Sequence, residues 1–290
     1  MTGTALLMVL IAAFLHAFWN TLAKKSRNKI AFIWSFILFA VIFYFPMFFY
    51  FYAGIKISAV GWTCIVSTGI LHTFYFFFVG RSYERGDLSV VYPLARGFGP
   101  FWVPILAVVI LREQLSLPGI IGIVLVVVGI YVIHLKSFSF KAFFEPFAAI
   151  RSTASIWALL TGCTIAAYSL VDKVGVKTVH PAVYIYFIFF IPLLFLTPYV
   201  LVKERRALKT EWQINKGPVM VVGFLVVFTY LLVLFAMQTS NVSYVVTARE
   251  SSIVFSALFG VIWLGEGHRR PRLIGAFLIA LGVGFIGLSR

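Results

Sequence analysis

Charge is scarce in this sequence: Asp, Glu, Lys and Arg together make up 11% of 290 residues, where a soluble domain carries about 25%. A chain so poor in charge cannot cover its surface with water-binding groups, so a soluble globular domain is excluded. Acidic residues are scarcer still, nine in all and scattered, which argues against paired-carboxylate catalysis and an intramembrane enzyme. Cysteine occurs twice, as Cys64 and Cys163, each inside an apolar run; this excludes a disulfide framework and offers no metal cluster. No Gly-Lys-Ser/Thr phosphate-binding motif occurs, so ATP does not drive the protein directly and no cofactor is expected. The first apolar run lacks a preceding basic segment and an Ala-x-Ala pattern, the marks of a signal peptide, and is read as a membrane span.

What is abundant is hydrophobic length. Hydrophobic residues make up 62% of the chain, with 32 Phe. A helix that crosses the hydrocarbon core needs about 20 apolar residues, and that rule finds ten spans: 4–23, 30–53, 59–80, 88–111, 117–135, 153–172, 181–202, 217–238, 242–264 and 272–289. Runs such as "IIGIVLVVVGIYVI" do not alternate apolar with polar residues, as the strands of a transmembrane barrel must. The expected fold is an all-α integral membrane protein of ten transmembrane helices.

The net charge of +15 is unevenly placed. The odd-numbered loops carry seventeen Lys and Arg and the opposite face five. Cytoplasmic loops are enriched in these residues, so the odd loops are expected inside and both termini outside. The positive charge then sets orientation and meets anionic headgroups of the bilayer, and no nucleic-acid partner is needed to explain it. Residues 136–152, "KSFSFKAFFEPFAAIRS", mix Phe with basic residues and read as a linker along the inner interface.

The two halves repeat. With an offset of 153, Ala95 and Arg96 fall on Ala248 and Arg249, Glu113 on Glu266, Pro118 on Pro271, and Gly122 and Gly129 on Gly275 and Gly282. With an offset of 149, "HAFWNTLAKK" falls on "IAAYSLVDKV", pairing Trp19 with Tyr168 and Lys24 with Lys173. Five spans per repeat is an odd number, so the second half enters the membrane from the opposite side. The expected architecture is two inverted five-helix repeats, 1–135 and 153–290, an arrangement that carriers use for alternating access. The spacing in "GIIGIVLVVVG" and "GAFLIALGVGFIG" reads as close helix packing, with a monomer or a homodimer both compatible.

The segments "SVVYPLARGFGPFWVPILAVVILREQLSLPGIIGIVLVVVGIYVI" and "VSYVVTARESSIVFSALFGVIWLGEGHRRPRLIGAFLIALGVGFIGL" resemble the two copies of the EamA domain of the drug/metabolite transporter superfamily, and "LHAFWNTLAKK" resembles its first helix. The resemblance implies a ten-helix carrier of small metabolites, often an exporter, with a cavity formed chiefly by helices 1, 3, 4, 6, 8 and 9. Many relatives are described with cytoplasmic termini, the reverse of the orientation implied by the Lys and Arg distribution.

Ionisable residues inside spans are costly and usually face a cavity or a partner. Arg96 and Arg249 are the candidates to grip an anionic group bidentately; Glu250 is either a proton carrier or an ion-pair partner of one of them. Pro93, Gly97, Gly99, Pro100 and Pro104 predict a kinked fourth helix with freed carbonyls. His16 and Asn20, four apart on one helix face, His72, Trp19, Tyr168, Tyr92 and Ser251 complete the substrate-binding candidates, while packing is the default reading for the histidines and aromatics. Glu113 and Glu266 each precede a Pro that opens the next helix and read as helix N-terminal partners. The expected function is secondary transport of a small anionic organic metabolite across a bacterial inner membrane, by proton coupling or exchange. A flippase for a lipid-linked sugar or phosphate is the alternative.

Overall fold

Length and hydropathy translate directly into helices. The computed structural model describes residues 1–23, 26–85, 88–135, 137–140, 143, 152–264 and 270–289, with backbone alone at 85, 88–94 and 260–264. The helices are α1 (Gly3–Ala23), α2 (Lys29–Tyr52), α3 (Ala59–Arg85), α4 (Leu88–Leu111), α5 (Leu117–Ile133), α6 (Thr153–Thr178), α7 (Pro181–Lys203), α8 (Arg205–Thr239), α9 (Val242–Arg249), α10 (Ser251–Leu264) and α11 (Arg270–Leu288). Among the described residues, seven of them, α1, α2, α3, α6, α7, α8 and α11, are long and apolar enough to cross a membrane. Their outward faces expose side chains such as Ile42, Phe49, Phe195 and Phe277, a surface suited to lipid and not to water.

Two departures from the predicted spans bear on the site. The sixth span continues beyond residue 172 to Thr178, which draws Asp172 and Lys173 inside the helix; both are buried. The ninth span is two helices, interrupted at Glu250, where Glu250 N–H bonds the Thr247 carbonyl at 3.1 Å and the Ser251 hydroxyl bonds that of Ala248 at 2.8 Å. The fourth span is one helix from Leu88 to Leu111, with the bounds expected, and its prolines remove amide donors within it. The interfacial linker and Glu266 lie outside the described residues, apart from 137–140, 143 and 152.

Helix ends are tied across the bundle by side chains. Glu211, 1% exposed, accepts from the backbone amides of Arg27 and Asn28 at 2.6 and 2.7 Å, just before α2. Glu113 acts in the same way at a different helix from the one expected: it bonds Val242 N at 2.7 Å, Ser243 N at 3.2 Å and Ser243 Oγ at 2.6 Å, at the start of α9. The start of α5 is capped by Ser116. Lys173 Nζ donates to the carbonyls of Met237 and Ser240 at 2.5 and 2.7 Å, completing the C-terminus of α8. Removing a buried acceptor leaves its donors unsatisfied at about 1–3 kcal/mol. Glu211→Ala is therefore expected to lower the thermal unfolding midpoint of purified protein, with Glu211→Gln intermediate.

Packing pairs α1 with α8, α3 with α6, α2 with α8, α3 with α7, α4 with α6, α1 with α10, α2 with α7 and α5 with α11. The last pair is the tightest at the backbone. A Cβ added to Gly122 would stand 2.6 Å from the Gly282 carbonyl oxygen, and one on Gly129 would stand 2.9 Å from that of Gly275. The small-residue spacing thus serves helix packing within the chain.

Candidate functional site

Arg96 lies on α4, 5% exposed, in the membrane-depth part of the bundle. Its Nη2 donates to His16 Nε2 at 3.0 Å and to Ser252 Oγ at 3.2 Å, and its Nε lies 3.4 Å from Glu250 Oε2. Thus α4, α1 and the α9–α10 break converge on one guanidinium. Because His16 Nε2 accepts, the neutral ring carries its proton on Nδ1. Asn20 Nδ2 sits 3.5 Å from the same His16 nitrogen, so the predicted His16–Asn20 face is real.

A cavity reaches this cluster. Its wall comprises His16, Trp19, Asn20 and Ala23 of α1, Ser26, Lys29, Phe32, Ile33 and Phe36 at and in α2, Tyr75, Phe76, Val79 and Tyr83 of α3, and Arg96. It is rich in aromatic side chains, with His16, Asn20 and Arg96 among its polar groups and Lys29 at the start of α2. The expected contribution of helices 6, 8 and 9 to the wall is not found among the described residues. Those helices instead pack their aromatic and charged side chains against one another behind it.

That second layer holds Arg249, also 5% exposed. Its guanidinium lies 5.8 Å from the Tyr230 ring centroid, and Tyr168 stands beside it. Nε and Nη2 of Arg249 have no hydrogen-bond partner among the described residues, an uncommon condition for buried donors. Tyr168 stacks on His72 with centroids 4.1 Å apart, and the buried His72 has its Nδ1 bonded to the Thr68 carbonyl at 3.0 Å. The hydroxyl of Ser251 is turned back to the Ala248 carbonyl of α9, and Ser252 takes the place at Arg96. The Tyr92 side chain lies outside the described residues.

The residue missed in the sequence is Asp172. It is fully buried and accepts from Thr68 Oγ1 at 2.5 Å, Tyr184 Oη at 3.0 Å and Tyr230 Oη at 2.5 Å. A span drawn only to residue 172 put this carboxylate at a helix end. Its position opposite Ala23 in the repeat register was the available signal, since an acidic residue replacing alanine in one half alone breaks the symmetry.

Comparison with known proteins fits this architecture. The model of the EamA-like transporter family matches residues 3–135 and again 152–288. A protein of Archaeoglobus fulgidus described as an uncharacterized transporter is 27% identical over 289 residues, spanning 96% of each chain. A protein of known crystal structure aligns with 99% of this chain and 98% of its own at a TM-score of 0.69 and 15% identity, a likeness of fold alone. With a family match over nearly its whole length and a lipid-facing apolar exterior, the chain belongs to the EamA-like transporter family and is a multi-pass integral membrane protein.

Proposed function

We propose that this protein is a secondary transporter that moves a small anionic organic metabolite by alternating access between two inverted five-helix repeats, 1–135 and 153–290. The observation that carries the anionic substrate is the buried pair Arg96 and Arg249, one opening into the cavity and the other with two nitrogens that have no partner among the described residues. A guanidinium cannot shed its charge, so donors left open in the membrane interior favour an anion. Support for the repeats comes from the twofold family match and from packing. Exchanging the halves turns α1–α8 into α6–α3, α2–α8 into α7–α3 and α4–α6 into α10–α1, all of which are present.

The cavity wall extends to Ser26 and Lys29, the end that the Lys and Arg distribution makes cytoplasmic. At the other end Glu113, Asn241 and Lys173 tie the helix connections together, with Asn241 Nδ2 bonded to the Gln114 carbonyl at 2.9 Å. An open end and a tied end support the reading of an inward-open carrier. Export is favoured by the family resemblance alone.

The test has two steps. Purified protein is screened by thermal shift against acetate, benzoate, glutamate, inorganic phosphate and glycerol 3-phosphate at constant ionic strength; stabilisation by at least one is expected. Proteoliposomes loaded with that anion should then accumulate its labelled form by saturable counterflow. Non-saturable flux would indicate a channel. Absence of any stabilisation, with transbilayer movement of a labelled anionic lipid, would indicate a flippase.

A further inference from the structure

The described core is charge-balanced without a ligand. Arg96 faces Glu250, and Arg249 shares Tyr230 with Asp172, whose Oδ2 receives that tyrosine's hydroxyl. Two guanidiniums therefore sit with two carboxylates, while Lys29 and Lys173 lie apart at helix ends, bonded to backbone carbonyls. An anion entering this core adds one negative charge, and an uncompensated charge at membrane depth costs several kcal/mol. A second cation must come with it, or a carboxylate must be neutralised.

We propose that Asp172 is the proton-binding site of this transporter, taking up one proton for each monovalent anion bound. Glu250 is less suited, because its Oε2 is held by the Arg96 guanidinium. Among the described residues no Lys, Arg or His nitrogen lies within ion-pair distance of Asp172. Its three partners are all hydroxyls, and a hydroxyl both donates and accepts. The shell can therefore hold a carboxylate, with all three donating, or a carboxylic acid, with one hydroxyl turned to accept. Backbone amides, lysine and arginine lack that freedom, because they only donate.

The location fits coupling. Thr68 comes from α3 and the other three residues from α6, α7 and α8, so the shell spans both halves of the chain. Tyr75, which lines the cavity, packs edge-on against Tyr168 at 5.7 Å and against His72 at 6.2 Å, placing one aromatic layer between shell and cavity. The groups that face Asp172 from its surroundings are Cys64 and Thr68 of α3, with His72 behind Thr68, then Tyr184, Tyr230 and, beyond that ring, Arg249. Neutralising Asp172 leaves the guanidinium of Arg249 uncompensated, which raises the attraction for an anion on the cavity side. The proton moves from water to an Asp172 oxygen and returns to water on release; no bond to the anion forms.

The proposal rests on the anion-transport reading, but its first test needs no substrate. Full-length protein in nanodiscs is titrated with pH while infrared difference spectra follow the carboxylic-acid carbonyl stretch. A titrating band is expected in wild type and in Glu250→Gln, absent in Asp172→Asn, and shifted in Tyr230→Phe, which loses one hydrogen bond while keeping the ring. A band that survives Asp172→Asn, is missing from wild type at every pH, or vanishes on exchanging choline for sodium at fixed pH overturns the assignment. The second test uses the panel anion that stabilises wild type most. Its affinity should fall about tenfold per pH unit above the titration of that band and lose this dependence in Asp172→Asn. A pH-independent wild-type affinity overturns the coupling. If no panel anion binds while the band titrates as expected, the transport reading fails and the proton site stands.

Discussion

Arg249→Gln is expected to weaken binding of a stabilising anion by about a hundredfold, the equivalent of about 3 kcal/mol lost from charge-assisted hydrogen bonds. Both Nε and Nη2 of this residue are buried without partners among the described residues, so an anion that meets them makes bonds that nothing else in the free protein replaces. Glutamine keeps a polar head of lesser length and removes the charge. The same substitution at Arg96 is a poorer instrument. Arg96 already holds Glu250, His16 and Ser252, and breaking a buried ion pair by removing one partner costs about 3–5 kcal/mol in stability. Loss of binding in Arg96→Gln would therefore mix the site with the fold. Arg249→Gln mixes them less: the expected result is a smaller fall in the ligand-free unfolding midpoint than Arg96→Gln gives, together with loss of the anion-induced shift. An anion titration that superposes on wild type would remove Arg249 from the site.

The chain's elements were legible because membrane insertion leaves few choices. Every backbone group must be satisfied within its own segment, so an apolar run of sufficient length is a helix whatever its neighbours do. The pairing of Arg96 with Arg249 was legible for a similar reason, since charge at membrane depth is too costly to be casual. What sequence could not supply was partnership. Nothing in "HAFWN" states that His16 would accept from Arg96, and nothing near Ser251 states that the helix break would turn its hydroxyl backward and put Ser252 forward. Asp172 was hidden by a boundary error: with Lys173 beside it, the segment looked like the polar end of a span. The helix continues because Lys173 reaches the exposed carbonyls at the end of α8 and Asp172 is enclosed by three hydroxyls. Both groups are satisfied by helices distant in sequence. The Glu113 reading was right in kind and wrong in address for the same reason, since an N-terminus completed from the other half of the chain leaves no local trace.

Gly275→Ala and Gly284→Ala, nine positions apart on α11, should change stability in opposite directions. Alanine is the better helix former by about 1 kcal/mol, so on an unobstructed face the exchange stabilises. Gly284 has such a face: a Cβ there meets nothing within 4 Å. At Gly275 the added carbon would stand 2.5 Å from the backbone nitrogen of Ile133 and 2.6 Å from its Cα. These are main-chain atoms, and a rotamer change cannot move them aside. The helices must separate, which loosens the reciprocal contacts at Gly122 and Gly129 as well. Overpacking of this kind costs about 1–3 kcal/mol, enough to outweigh the propensity gain. Unfolding midpoints in mixed micelles should therefore fall for Gly275→Ala and hold or rise for Gly284→Ala. Because α5 and α11 contribute nothing to the described cavity wall, anion-induced stabilisation should survive in the folded fraction of both. Equal midpoints would mean that the α5–α11 contact is not held at backbone distance. A loss of anion binding in Gly275→Ala would instead mean that this pair moves with the site.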